Sequence, residues 1–256
     1  MQYASTIPSV YTQKVLELNL AGLNGSTGPI SEDSLTLSIW APRNSKKKNL
    51  PILISFYGGA FIVGGTNVPY QLPGRSESNA PQGHIVVSFN HRDNIFGFPN
   101  AANLPPKQQN VMLLDQRLAV EWMRDNIASF SGDPTRIGLW GQSSGAITIA
   151  YCTYAYAAGP VANSIILDSG TEFTDLLTRD PANTNFTAVA GHFNCAPLPP
   201  AAELACMRRV DAHTLSAYLR AYTDTVTPPV TFSLTIDNHT VFATYPPPTS
   251  QNPHAP

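Results

Sequence analysis

Gly138-Leu139-Trp140-Gly141-Gln142-Ser143-Ser144-Gly145-Ala146-Ile147-Thr148-Ile149-Ala150-Tyr151 decides how this chain is read. An apolar strand signal, Arg136 to Trp140, gives way within a few residues to a helix-compatible run, Ala146 to Tyr151. Between them stands a serine flanked by two glycines. A serine on so sharp a strand-to-helix turn reads as a nucleophile elbow. The turn crowds the backbone, and neighbours without side chains relieve the crowding. The hydroxyl then stands above a sheet, with the N-terminus of the next helix aiming its amide dipoles at it.

Outward from the elbow, strand and helix signals alternate. Val15–Leu20 and Leu35–Trp40 alternate apolar and polar residues, as strands with one buried face do. Leu50–Phe56 and Ile85–Asn90 are nearly all apolar, which predicts strands buried on both faces, and Ser164–Gly170 reads as another. Gln109–Ile127 is the strongest helix, with Val111, Leu114, Leu118, Trp122 and Met123 at helical spacing on one predicted apolar face. Glycine and proline stop it at Phe130-Ser131-Gly132-Asp133-Pro134. This order predicts an α/β fold of parallel βαβ units joined to an antiparallel start. Beyond residue 171 the pattern becomes helical and loop-rich, like an insertion over one end of a sheet. Pro246–Pro256 is polar and Pro-rich, which predicts a disordered tail.

Composition narrows the function. The chain has 256 residues, 43% apolar and 12% charged, with a formal net charge of −2. It can bury a large core, and its charge argues against nucleic-acid or anionic-membrane partners. No run of 18 apolar residues occurs, so no membrane span is expected, and the first residues lack the basic and apolar regions of a signal peptide. Lys46-Lys47-Lys48 reads as a solvated loop. Of three cysteines, Cys195 and Cys206 have a spacing that suits a loop-closing disulfide, and Cys152 reads as a small apolar residue of the helix after the elbow. Sequons at Asn24, Asn185 and Asn238, together with that disulfide, favour an extracellular, glycosylated protein. No metal-ligand spacing, phosphate loop or dinucleotide fingerprint occurs, so neither metal nor cofactor is expected.

Acyl transfer needs a nucleophile, a base for its proton and donors for the developing oxyanion. Ser143 supplies the first. The amide of Ser144 and amides of the glycine-rich loop Gly58-Gly59-Ala60, which follows strand 50–56, supply the donors; the bland alternative for those glycines is a plain tight turn.

With these residues in view, the chain resembles the type B carboxylesterases, the cholinesterase-like branch of the α/β-hydrolase superfamily. Ser31–Trp40 resembles the family's Glu-Asp-Cys-Leu segment, and Tyr57–Phe61 its oxyanion loop. Asn90-His91-Arg92 and Phe96-Gly97-Phe98 resemble its Asn-Tyr-Arg and Gly-Phe segment. Asn110–Asn126 with the following turn, the elbow itself, Cys195 with Cys206, and Phe232–Tyr245 match in order. The resemblance implies an α/β-hydrolase-like mixed sheet with flanking helices. It implies Ser143 as nucleophile, Gly59, Ala60 and Ser144 as oxyanion amides, and a small-molecule carboxylic ester as substrate. It gives Glu32, Arg92 and Asp115 structural roles that tie loops to the sheet.

The departures from the family pattern set further expectations. Ser34 stands at a family cysteine, Gln142 at a glutamate and Ala60 at a glycine. The resemblance also implies partners for Ser143 in chain order Ser, Glu/Asp, His, well downstream. Residues 1–245 therefore read as a partial domain, without the N-terminal strands and the C-terminal half, and with impaired catalysis. The six histidines, His84, His91, His192, His213, His239 and His254, have no family role as base, and His91 takes a structural tyrosine position. Asp168, at a strand end, has no family role as acid. Two other readings stay open: a non-catalytic cholinesterase-like binding or adhesion protein, which the retained Gly141, Ser143 and Gly145 disfavour, and a lipase-like hydrolase. Substrate identity and oligomeric state are not legible.

Overall fold

The computed structural model describes residues 31–42, 47–66, 83–174, 177–178, 180–225 and 230–245. The predicted strand 15–20, the sequon at Asn24, His254 and the tail 246–256 lie outside them. Five described strands form one sheet: β1 (Leu37–Trp40), β2 (Leu50–Phe56), β3 (Ile85–Phe89), β4 (Gly132–Gln142) and β5 (Ser164–Asp168), in the order β1-β3-β2-β4-β5. β1 runs antiparallel to β3, and every other pairing is parallel. The helices are α1 (Asn94–Gly97), α2 (Val111–Asn126), α3 (Ser144–Ala155), α4 (Thr184–His192), α5 (Pro200–Met207) and α6 (Ala212–Thr225). This is the mixed sheet with flanking helices of an α/β-hydrolase fold, with the antiparallel start and the helical region after residue 171 where the sequence puts them.

Alternation along the strands builds the first core. Ile52, Ile54 and Phe56 of β2, Ile85, Val87 and Phe89 of β3, and Ile137 and Leu139 of β4 share one buried cluster with Val120, Met123, Ile127 and Ile149 from the helical layer. Burying each such side chain contributes roughly 1.5–3 kcal/mol. A second cluster gathers Phe61, Phe98, Met112, Leu113, Ile147 and Tyr151 with Phe186, Leu204, Leu215 and Leu234. It joins the sheet-and-helix body to the helical region. The disulfide Cys195–Cys206 closes across the Pro-rich loop into α5, with Cα atoms 5.6 Å apart.

Three expectations need correction. The period of α2 is right, but its phase is shifted: of the predicted face only Met123 is buried, together with Met112, Leu113, Gln116 and Val120, while Leu118 is 61% and Trp122 41% exposed. Apolar residues sit on both sides of this helix, so periodicity alone does not say which side meets the sheet. β4 begins at Gly132, inside the predicted stop, because Leu50 pairs with Gly132 before a register shift leads to Ile52–Ile137. β5 is not buried on both faces. It is the edge strand beyond β4, and its burial alternates, with Ile166 50% exposed.

Candidate active site

The site is assembled where β2 and β4 end side by side. β4 stops at Gln142, and α3 starts at Ser144. Ser143 between them has φ 54° and ψ −124°, a conformation that side-chain-bearing residues rarely adopt. Two hydrogen bonds hold it there. Its amide donates to the Asp168 carbonyl at the end of β5 (2.8 Å), and its carbonyl accepts the Ile147 amide, the first bond of α3 (3.1 Å). The flanking glycines are required by space. A Cβ on Gly141 would lie 2.5 Å from the Gly145 carbonyl carbon and 2.6 Å from the Ala146 nitrogen. A Cβ on Gly145 would overlap the Phe56 carbonyl oxygen and reach the Tyr57 oxygen at 2.7 Å. Gly170 packs on the other side, where a Cβ would lie 2.5 Å from the Ser143 carbonyl oxygen.

The glycine-rich loop arrives at the same place. A Cβ on Gly58 would lie 3.0 Å from Ser143 Cβ and 2.6 Å from Gln142 Oε1, so this glycine sits directly against the elbow. Gly59 (φ 146°), Ala60 (φ 54°) and Phe61 (φ 64°) then turn the chain through the left-handed region. The Gly59 carbonyl accepts the amides of Ile62 (3.0 Å) and Val63 (3.1 Å), and the Phe61 carbonyl accepts that of Asn94 (2.7 Å). The Phe61 ring is buried and meets Phe98 edge-on at 5.5 Å. The amides of Gly59, Ala60 and Ser144 have no acceptor among the described residues. The structure thus brings the predicted loop, the predicted serine and the N-terminus of α3 to one end of the sheet.

Sequence reasoning missed what holds the loop from beneath. The Tyr57 ring stacks on the His91 ring at 4.2 Å and 21°, and the Tyr57 hydroxyl accepts the His91 amide at 3.3 Å. His91 Nδ1 is 3.4 Å from Asp93 Oδ1, and both residues are buried. Burial first, and the Asp93 carboxylate second, push the Tyr57 hydroxyl well above its ordinary pKa, so it stays neutral. His91 is structural here, as the family position implies. Its unusual pairing has no signal in the sequence, because residues 57, 91 and 93 meet only through strand order.

The other expected residues fall as follows. Arg92 and Asp115 form a two-pronged pair, Nε–Oδ2 2.8 Å and Nη2–Oδ1 2.6 Å, and Asp115 also accepts the Arg92 amide. Hydrogen bonding to Asp115 raises the Arg92 pKa. Glu32 does not join this pair by any hydrogen bond among the described residues; it lines a cleft beside Arg92, Ile95 and Leu204. Ser34 is buried at the family cysteine position, and its hydroxyl has no partner among the described residues. The Asp168 carboxylate accepts the Trp140 indole N–H at 2.5 Å. No histidine among the described residues is hydrogen-bonded to Ser143. His192 stacks on Tyr218 at 3.8 Å, and His91 faces Asp93. Burial pushes the Cys152 thiol up to about 12, which leaves it protonated and inert.

A mixed sheet of five described strands with a strained serine between β4 and the next helix defines the α/β-hydrolase class. Residues 4–253 match the carboxylesterase family, and the chain belongs to that family. It is 44% identical over 224 residues to chlorogenic acid esterase of Aspergillus niger, covering 86% of this chain and 42% of that protein. It is 40% identical over 235 residues to secreted lipase 5 of Gibberella zeae, covering 86% of this chain and 44% of that protein. Fumonisin B1 esterase of Sphingopyxis macrogoltabida is 33% identical over 191 residues, 73% of this chain and 33% of that protein. The chain spans less than half the length of each of these relatives.

Proposed function

We propose that this chain carries the nucleophile and oxyanion half of a serine carboxylic-ester hydrolase. The observation that supports this most directly is Ser143 at φ 54°, pressed between Gly58 and the α3 N-terminus. Ser143 Oγ attacks the ester carbonyl carbon while its proton passes to a base. The carbonyl oxygen becomes an oxyanion, met by the amides of Gly59, Ala60 and Ser144. The tetrahedral intermediate expels the alcohol, which takes up a proton, and leaves an acyl-Ser143 ester. Water then repeats the sequence and frees the acid. Each oxyanion donor in such a site lowers the barrier by about 3–4 kcal/mol.

No histidine among the described residues is hydrogen-bonded to Ser143, which supports the reading that turnover by this chain is impaired. Loss of a triad member costs about 10⁴ to 10⁶ in rate. Substrates are small-molecule carboxylic esters, the chemistry named for its relatives. A lipase-like preference for a longer acyl chain is the second reading, favoured by the likeness to secreted lipases. The disulfide and those relatives support an extracellular protein. A small fluorophosphonate supplies the test. Peptide mapping is expected to find slow, stoichiometric labelling at Ser143 that imidazole in solution accelerates and Ser143→Ala abolishes. Label on other residues of the folded chain, with Ser143 bare, would overturn the assignment.

A further inference from the structure

The sequons at Asn185 and Asn238 differ in a way their sequences do not show. Asn185 lies in α4, half-buried, and its Nδ2 already donates to the Thr231 carbonyl at 2.9 Å. The third residues do not separate the two sequons, because the Thr187 hydroxyl donates to Glu203 (3.1 Å) and the Thr240 hydroxyl to Asp237 (2.6 Å). Asn238 is exposed at the crest of a turn, with φ 53°. Its amide N–H is bonded to the Val241 carbonyl at 3.0 Å, while its side-chain amide has no partner among the described residues.

The turn beneath Asn238 is rigid. Asp237 Oδ1 accepts the amides of His239 (2.8 Å), Thr240 (2.7 Å) and Val241 (2.8 Å). Asp237 Oδ2 accepts the Thr240 hydroxyl (2.6 Å) and Asn110 Nδ2 (2.9 Å). The left-handed backbone accounts for an asparagine at 238, and Asp237 accounts for the threonine at 240. Neither uses the Asn238 carboxamide.

We propose that Asn238 is an N-glycosylation acceptor and that Asn185 is not; for the natural protein this rests on the extracellular reading above. The donor is an oligosaccharide linked through pyrophosphate to a lipid. Asn238 Nδ2 forms a bond to the anomeric carbon, and the bond from that carbon to the pyrophosphate oxygen breaks. The lipid pyrophosphate leaves with the electron pair, and one amide proton passes to the transferase. The modified carboxamide keeps one N–H, and the glycan extends from an exposed residue whose side chain makes no hydrogen bond among the described residues. The same group on Asn185 would crowd the contact with Thr231 that docks α4 on the 230–245 segment.

The test directs the full chain through a eukaryotic secretory pathway behind an added leader. Treatment with an N-glycanase in heavy-oxygen water, followed by peptide mapping, reads each sequon separately. The expected result is heavy-oxygen aspartate at 238 and unmodified asparagine at 185. Asn238→Asp, which keeps the preference for a left-handed backbone, removes the 238 glycan without shifting the melting midpoint of the enzymatically deglycosylated protein. A bare 238 in chains that carry the Cys195–Cys206 disulfide would overturn the proposal, as would a glycan at 185. The native host's culture medium is assayed separately. Absence of the protein there, with 238 modified in the leader-directed chain, would overturn the extracellular reading and uphold the acceptor assignment.

Discussion

Ser143 holds a conformation that costs about 1–3 kcal/mol, and the contacts around it carry that cost. Glycine adopts the same backbone without strain. Ser143→Gly is therefore expected to raise chemical-denaturation stability by about 1 kcal/mol while removing the fluorophosphonate target. Gly145→Ala acts in the opposite sense. Its methyl group meets the carbonyl oxygens of Phe56 and Tyr57, which are backbone atoms at the end of β2. Overpacking of this kind costs about 1–3 kcal/mol, and an unfolding free energy from urea denaturation lowered by that amount is the expected reading. The elbow is legible in sequence because its demands are local: one strained residue, two missing side chains and a helix that starts at once. The Tyr57–His91–Asp93 support is not legible, since each member is an ordinary residue until β3 and β2 lie side by side.

At the scale of single elements, α2 shows where pattern reading stops. Its residues fit a helix in either phase, and docking on β2, β3 and β4 selects the phase that buries Val120 and Met123. Leu113→Ala is expected to cost about 2–5 kcal/mol in thermal or urea unfolding, and Leu118→Ala well under 1 kcal/mol. The reverse ranking would reinstate the sequence-derived face. The start of β4 is tuned by Asp133, whose carboxylate accepts from the Thr135 hydroxyl, the Thr135 amide and the Arg136 guanidinium. Together these lower its pKa from 3.8 to about 2. In Asp237, burial raises the carboxyl pKa, but the hydrogen bonds from Thr240, Val241 and His239 outweigh it and hold the group below its ordinary value. Both groups have folded pKa values below their unfolded ones. Their stabilisation is therefore present above pH 3.8 and lost as pH falls below it, for Asp133 toward about 2. Stability measured in that window should fall with acid, and less steeply in Asp237→Asn than in the parent.

At the scale of the whole molecule, Asn110 ties the start of α2 to the segment 230–245. Its Nδ2 donates to the Thr235 carbonyl, Asp237 Oδ2 and Thr240 Oγ1, and its Oδ1 accepts the Thr235 amide. The start of α2 thereby fastens the 230–245 segment. Asn110→Ala leaves these buried groups unpaired at about 1–3 kcal/mol for the group. Amide exchange is expected to quicken across residues 235–241 before it quickens in β2 and β3. Exchange that quickens uniformly would mean that the segment and the sheet unfold as one unit.

The amino-acid sequence by itself determined the strand-to-helix elbow, the glycine loop, the order of the described strands and helices, and the Cys195–Cys206 pairing. Each of these is written in residues close along the chain, where steric demand and periodicity act without distant partners. Tertiary structure decided which face of α2 is buried, that β5 is an edge, that Tyr57 rests on His91, and which sequon lies open to solvent. Those outcomes depend on burial and on hydrogen bonds between residues tens of positions apart, which exist only after the sheet has brought them together.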